Sequence, residues 1–165
     1  MRLAAAGKER IAAPVATVWS RLLDHHFIAR CAPGIESVHA EDATHFRAVT
    51  ALGVGSVKVR FTVHVELVDL RPPESARMLV RGEAPGSALN AASSATLSAN
   101  DDGSTSLDWA VTSDVHGTLA NVGARLLNGT ARRLMAAFWK KFAARVAGAP
   151  AEKGKKQRSH RTSRT

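Results

Sequence analysis

Hydrophobic and polar residues alternate most regularly over residues 57–67 of this sequence. Six apolar side chains there are separated by polar and charged ones: Lys58, Arg60, Thr62, His64 and Glu66. This alternation predicts a strand that turns one face to the core and the other to water, as strands of antiparallel sheets do. Further strands are predicted at residues 2–11, 44–54, 76–83, 91–99 and 104–115. The sequence Asp101-Asp102-Gly103 predicts a hairpin turn between the last two.

Helical spacing of apolar residues predicts three helices. A short helix follows Pro14, because proline suits the first turn of a helix, and a second is predicted at residues 26–30. Residues 118–147 have the pattern of one long amphipathic helix, which is expected to end at Gly148-Ala149-Pro150. Only this long helix can cover the apolar face of the sheet. We therefore predict an α+β helix-grip fold, with two short helices after strand one and a curved antiparallel sheet of about seven strands around the C-terminal helix.

The charge of the chain is concentrated at its C-terminal end. The 165 residues are 45% hydrophobic and 22% charged, as in ordinary globular domains, and the formal net charge is +9. Six lysines and arginines lie in the last thirteen residues. We therefore predict a helix-grip domain at residues 1–148 and a disordered basic tail at residues 149–165. The single cysteine, Cys31, excludes an internal disulfide and fits a reducing cytoplasm.

Several positions predicted to face the interior carry small side chains: Ala48, Thr50, Gly82, Ala91, Ser93 and Ala95. Protein interiors are normally filled, so this pattern has two interpretations. Either the small residues let the sheet pack closely on the helix, or a cavity remains for a ligand. Gly123 and Gly129, inside the predicted long helix, suggest a close approach by another backbone or a ligand, because glycine lowers helix stability.

Three segments of the chain resemble the CoxG family of carbon monoxide dehydrogenase subunits, within the START-like SRPBCC superfamily. Ile11-Ala12-Ala13-Pro14, followed by Val18-Trp19, is similar to the opening of that family. Cys31-Ala32-Pro33-Gly34-Ile35-Glu36 resembles its Cys-x-Pro-Gly-x-Glu signature. Residues 119–132 resemble the start of its terminal helix. The resemblance covers about residues 7–146, most of the chain.

The resemblance implies a non-catalytic accessory subunit whose apolar cavity holds a quinone- or lipid-like molecule without a covalent bond. It also implies association with a molybdenum hydroxylase complex, which the subunit would link to the membrane or the respiratory chain. We expect a cytoplasmic protein with peripheral contact to the inner face of the cytoplasmic membrane, and no nucleic-acid partner. Two features depart from the family pattern: Glu9 replaces an apolar strand residue, and the loop at residues 85–89 lacks phenylalanine.

Two sets of residues are expected to make contacts. The first set should line the ligand cavity: Trp19, Leu22, Phe27, Cys31, Phe46, Thr50, Phe61, Val63, Ser93, Trp109, Val111, Leu119, Val122, Gly123, Leu126 and Leu127. For Trp19 and Trp109, plain core packing is the alternative. The second set should meet the membrane or a partner: Arg125, Arg132, Arg133, Lys140, Lys155, Lys156 and Arg158. For the basic tail, attraction to anionic lipid competes with simple solvation.

No catalytic or metal site is predicted. The seven histidines lack metal-ligand spacing, and the side chains of the adjacent His25 and His26 diverge. Cys31 has no recognisable catalytic partner and is interpreted as a small residue beside a turn. Two other functions stay open. A START-like cyclase or hydrolase would need Glu9, Thr50 and Ser93 to converge, although Glu9 is expected to be exposed, and a purely structural membrane-recruitment adaptor would need only its surface.

Overall fold

Strands form a larger share of this molecule than helices do. The structure is a computed structural model that describes the backbone of residues 1–161 and the side chains of residues 1–148. The helices are α1 (Val15–Leu22), α2 (His25–Cys31) and α3 (Ala124–Arg161), with a 3-10 turn at Thr118–Val122. The strands are β1 (Arg2–Ile11), β2 (Ile35–Ala40), β3 (His45–Val54), β4 (Val57–Arg71), β5 (Ser75–Ala84), β6 (Ser87–Ala99) and β7 (Thr105–Gly117).

The seven strands form one antiparallel sheet in the order β1-β7-β6-β5-β4-β3-β2. Strands β2 to β7 follow one another as hairpins, whereas β1 crosses back to pair with the last strand, from Arg2 opposite Asp114 to Ile11 opposite Thr105. Helices α1 and α2 make the connection from β1 to β2. The predicted α+β helix-grip architecture is confirmed.

The predicted hairpin between β6 and β7 is confirmed as well. The backbone N–H of Asn100 donates to the carbonyl oxygen of Ser104 at 2.9 Å. The Asp102 carboxylate accepts from the N–H of Ser104 at 3.0 Å, which is the usual role of an aspartate in a turn. Gly103 has φ +87°, a left-handed conformation that glycine adopts without steric strain.

The long helix differs from its prediction at both ends. Gly123 has φ +100°, so the backbone breaks there and α3 begins only at Ala124, after the 3-10 turn. A Cβ on Gly123 would meet no atom within 4 Å, and one on Gly129 would meet only the Arg133 side chain at 3.8 Å. The predicted approach by another backbone is therefore wrong, and the approach by a ligand stays a prediction. At the other end α3 continues to Arg161, past the predicted end at Gly148-Ala149-Pro150. Glycine and proline lower the stability of a helix, but they do not exclude helical backbone.

Two further points concern the C-terminal part of the chain. The predicted disordered tail at residues 149–165, with Lys155, Lys156 and Arg158, lies outside the residues whose side chains are described. Across the helices that the structure describes, none combines the length and the apolar composition needed to span a membrane.

Two separate apolar clusters form the core. The Phe142 cluster joins α1, α2 and the middle of α3 to one end of the sheet; its buried members include Ile11, Val18, Phe27, Cys31, Leu97, Leu107, Trp139, Phe142 and Val146. The Leu127 cluster fills the opposite end, where the N-terminal part of α3 meets the sheet; it comprises Leu3, Val54, Phe61, Val115, Leu119 and Leu127. The two clusters share no buried residue.

Candidate ligand cavity

A cavity of about 290 Å³ lies against the inner face of the sheet. Its floor is formed by strands β3 to β7, and helices α1, α2 and α3 cover it. Its walls are predominantly apolar, with residues Leu22, Leu23, His25, Ile28, Ala32, Phe46, Leu67, Ala76, Arg77, Met78, Val80, Ala91, Ser93, Ser94, Ala95, Trp109, Ala110, Val111, Met135, Phe138 and Trp139.

Small residues on β6 explain why this space is open. Ala91, Ser93 and Ala95 succeed one another on the inner face of the strand, and all three line the cavity. Between residues 91 and 95, no side chain larger than a serine therefore projects from the inner face of this strand. Of the two interpretations of the small inward residues, the structure shows the cavity.

Five of the sixteen predicted ligand contacts line this cavity: Leu22, Phe46, Ser93, Trp109 and Val111. Trp19, Phe27 and Cys31 belong to the Phe142 cluster or pack against it. Phe61, Val63, Leu119, Leu126 and Leu127 belong to the Leu127 cluster or pack against it. Val122 is exposed, and a Cβ on Gly123 would meet no other atom within 4 Å.

The wall that α3 supplies begins about two turns beyond the end of the predicted segment. The sequence placed it at residues 119–127, whereas the structure places it at Met135, Phe138 and Trp139. The break at Gly123 directs Leu119 and Leu127 into the end cluster, so the following turns face the middle of the sheet. The spacing of Met135, Phe138 and Trp139, three and four residues apart, is the signal that could have identified this wall.

Trp109 is fixed in the wall by two residues of β1. It lies opposite Gly7, and a Cβ on that glycine would come within 2.7 Å of Trp109 Cζ2, so only glycine leaves room for the indole. The indole Nε1–H donates to Glu9 Oε2 at 3.1 Å. Glu9 was expected to be exposed; instead it is half-buried, because its carboxylate is the acceptor for Trp109. The indole ring also stacks on Trp139, with 6.1 Å between ring centroids.

The remaining polar candidates are held apart from the cavity. Thr50 is buried on β3, where its hydroxyl donates to the carbonyl oxygen of Pro33 at 3.2 Å. Cys31 is fully buried, and burial raises the pKa of its thiol even though basic residues are near. A thiol with a raised pKa is a poor nucleophile at neutral pH, in keeping with a packing role.

The histidines fall into two environments. His25 lines the cavity, with its ring centroid 5.2 Å from that of Phe46. His45 lies on the outer side, where its Nδ1 is 3.0 Å from Asp42 Oδ1. The hydrogen bond with the Asp42 carboxylate raises the pKa of His45. Over the part of the chain that is described, no three His, Cys, Asp or Glu side chains are grouped to hold a metal ion.

The outer surface of α3 is strongly basic. Arg125, Arg132, Arg133 and Lys140 are all exposed. Up to residue 148, α3 contains six basic residues and no acidic one. Among the side chains described, none of these four has a carboxylate within salt-bridge distance, whereas basic residues on the strands do, such as Arg60 with Glu36. We call Arg125, Arg132, Arg133 and Lys140 the basic stripe.

Comparison with known proteins identifies the family of this chain. The family model of the CoxG subunit of carbon monoxide dehydrogenase matches residues 7–147. The chain belongs to the CoxG family. Its match includes the end of β1 from Gly7 onward, the Cys-x-Pro-Gly-x-Glu segment and α3 up to the end of the Phe142 cluster. No curated protein sequence matches the chain.

Several solved structures share the fold of this CoxG-family chain. A conserved protein from Geobacillus kaustophilus is 28% identical, with a TM-score of 0.82 over 89% of this chain and 97% of that one. The Zhui aromatase/cyclase from Streptomyces sp. R1128 is 16% identical, with a TM-score of 0.69 over 90% and 95%. A START superfamily protein from Mycobacterium smegmatis is 12% identical, with a TM-score of 0.65 over 87% and 96%. The last two likenesses establish the START-like fold alone.

Proposed function

We propose that this CoxG-family protein is a non-catalytic carrier that binds a hydrophobic, quinone- or lipid-like molecule in its central cavity. It links a molybdenum hydroxylase of the carbon monoxide dehydrogenase type to the membrane or the respiratory chain. The observation that carries the proposal is the cavity of about 290 Å³ between two well-packed clusters. Its volume lies just below the usual range for small-molecule sites, about 300–1,000 Å³.

The basic stripe supports the second half of the proposal. Four exposed cations on one helix, without carboxylate partners among the described side chains, suit an anionic surface. Each basic residue near an anionic membrane contributes about 1 kcal/mol of attraction. The inner face of the cytoplasmic membrane and an acidic face of the hydroxylase both present such a surface. Contact of this kind is peripheral and weakens as salt screens the charges.

The positions of the polar residues do not support the cyclase or hydrolase alternative. That function requires Glu9, Thr50 and Ser93 to converge on a substrate. Only Ser93 lines the cavity, since Glu9 is engaged by Trp109 and Thr50 is bonded to the backbone at Pro33. The likeness to an aromatase/cyclase concerns the fold, at 16% identity.

Extraction of the purified full chain with organic solvent, followed by mass spectrometry, tests the carrier function. We expect a hydrophobic compound to be recovered in stoichiometric amount. The variant Ala91→Leu, which places a larger side chain in the cavity, should yield less, whereas Ala92→Leu on the opposite face should yield as much as the parent protein. Recovery of no compound from the parent protein would argue against a carrier.

Sedimentation with lipid vesicles tests the membrane link. The full chain should bind vesicles that contain phosphatidylglycerol and should not bind pure phosphatidylcholine. Changing all four residues of the basic stripe to glutamine should weaken binding by up to about 4 kcal/mol, or nearly three orders of magnitude. Deletion of residues 151–165 distinguishes two functions. A structural adaptor would lose its binding to the membrane and would carry no ligand, whereas a carrier would keep its ligand.

A further inference from the structure

A second groove, of about 450 Å³, lies where α2, the Cys-x-Pro-Gly-x-Glu segment and β2 meet. Its walls are His26, Ala29 and Arg30 on one face of α2, residues 32–38, and Lys141 of α3. We call it the β2 groove. The proposed carrier function does not use it, and the family signature segment forms much of its surface.

The backbone at the bottom of the β2 groove is fixed to the neighbouring elements. The N–H of Ala51 donates to the carbonyl oxygen of Gly34 at 2.9 Å, and the hydroxyl of Thr50 donates to that of Pro33 at 3.2 Å. The carboxylate of Asp24 caps α2 by accepting from two N–H groups of its first turn, both at 3.1 Å. The groove is therefore formed before any partner binds, which lowers the entropy cost of binding.

Strand β2 has backbone groups that point away from its neighbour β3. The N–H of Glu41 donates to the carbonyl oxygen of His45 at 2.9 Å, and hydrogen-bonded positions alternate along an antiparallel pair. Val38 and Ala40 therefore direct their N–H and C=O groups away from β3. Since β2 is the last strand of the sheet, no strand of the described chain lies on that side. An edge of this kind accepts a further strand from a partner.

The β2 groove is positively charged. Arg30 and Lys141 are exposed, and among the side chains up to residue 148 neither has a carboxylate within salt-bridge distance. The acidic residue of the groove, Glu36, is already neutralised, because Arg60 donates to both of its carboxylate oxygens at 2.8 and 2.9 Å. The hydrogen bond from Arg60 also lowers the pKa of Glu36. The groove therefore suits a partner with negative charge.

The edge and the charge together limit the kind of partner. A membrane or a nucleic acid would meet the cations but would supply no peptide backbone to pair with β2. A second copy of this chain, paired edge to edge through β2, would bring two sets of the same cations together, which is unfavourable. A peptide segment with carboxylate side chains supplies both the backbone and the charge.

We propose that the β2 groove binds an acidic segment of a partner protein in an extended conformation. The segment adds to the sheet beside β2, its backbone pairs with Val38 and Ala40, and its carboxylates meet Arg30 and Lys141. This surface is separate from the basic stripe and from the ligand site, so the proposal goes beyond the carrier function and does not rest on it.

Three synthetic peptides of equal length test the proposal by NMR titration of the ¹⁵N-labelled full chain. The first alternates glutamate with valine, the second has lysine in place of each glutamate, and the third is the first with N-methyl groups on its central residues. The first peptide should move the amide signals of Val38 and Ala40 downfield. The lysine peptide should not bind. The N-methylated peptide should bind about tenfold more weakly, because it lacks N–H groups that pair with β2.

Two pairs of substitutions test the contribution of charge. Arg30→Gln combined with Lys141→Gln should weaken binding of the acidic peptide by about two- to thirtyfold, the usual effect of two surface ion pairs. Arg2→Gln combined with Lys8→Gln is the matched control, because it makes the same change of net charge on β1, at the opposite edge of the sheet. The control should alter the affinity by less than about twofold at physiological salt.

The proposal is refuted by any of three results. Absence of binding of the acidic peptide at millimolar concentration would mean that the groove is not a docking site. Equal binding of the lysine peptide would mean that the cations do not select the partner. Equal binding of the N-methylated peptide, or shifts that leave Val38 and Ala40 unchanged, would mean that the segment does not add to β2. None of these results concerns the cavity, so the carrier function would stand in each case.

Discussion

The space under β6 makes Ala91→Leu an informative perturbation. Ala91 lies on the inner face of the strand and lines the cavity, so a leucine there would extend into open volume. The adjacent Ala92 points to the outer face, where its neighbours across the sheet are Leu79 and Thr112. Ala92→Leu is therefore a control with the same chemical change on the same strand.

The expected gain in stability follows from the added apolar surface. Leucine adds three carbon groups to alanine, and burying them at about 0.8 kcal/mol each would stabilise the fold by about 2.4 kcal/mol. The loss of rotamer freedom of the leucine side chain reduces this stabilisation by about 0.5–1 kcal/mol. The net stabilisation of about 1.5 kcal/mol corresponds to a rise in Tm of about 3–6 °C for a chain of this size.

Urea and thermal unfolding of the ligand-free protein measure this change. Ala91→Leu should unfold at a higher urea concentration and a higher temperature than the parent. The free energy of unfolding of Ala92→Leu should differ from that of the parent by no more than about 0.5 kcal/mol. Binding of tetralin, an apolar hydrocarbon probe, should fall in Ala91→Leu and stay unchanged in Ala92→Leu. A destabilisation of about 1–3 kcal/mol in Ala91→Leu would be the mark of an overpacked site and would refute the argument that this part of the interior is unfilled.

Three further predictions concern other parts of the molecule. Gly7→Ala should destabilise the protein by about 1–3 kcal/mol and shift its tryptophan fluorescence, because the new Cβ would lie 2.7 Å from Trp109 Cζ2. Phe142→Ala should lower the free energy of unfolding in urea by about 3–5 kcal/mol, because the ring is fully buried in its cluster. Asp42→Asn should reduce the loss of stability on acidification. Hydrogen bonds from the Thr44 N–H and from His45 lower the pKa of Asp42 from 3.8 to about 2, so its contribution is present above pH 3.8 and lost as the pH falls toward 2.

Each of these predictions has an outcome that contradicts it. Unchanged fluorescence in Gly7→Ala would mean that the indole does not lie against β1. A loss below about 1 kcal/mol in Phe142→Ala would mean that the cluster is loosely packed. An identical dependence on acid in Asp42→Asn would show that this carboxylate is not held by its neighbours.

The strands were the most predictable part of the fold. The bounds of β1 are those that the sequence predicted, and β4 contains the whole of the alternating segment at residues 57–67. The sequence does not predict the bounds of β2. This strand has six residues at an edge of the sheet and is mostly exposed, so its sequence shows no alternation of apolar and polar residues. Alternation identifies a strand only where one of its faces is buried.

The cavity was only partly predictable. Small residues on β6 were compatible with either close packing on the helix or a cavity, and which turn of α3 covers them depends on the break at Gly123. A positive φ at a glycine is not visible in a sequence, because glycine occupies both halves of the φ range.

The pairing of β1 with β7 bears on how the protein is made. The first strand of this sheet to be synthesised pairs with the last one, and the Met1 nitrogen donates to the carbonyl oxygen of Val115, 114 residues away. Until β7 and then α3 have been synthesised, β1 has no sheet partner and the apolar faces of the earlier strands have no cover. Pairing over such distances slows folding and prolongs the exposure of aggregation-prone surface. Nascent chains of this protein are thus expected to need a chaperone for longer than a helical protein of equal length.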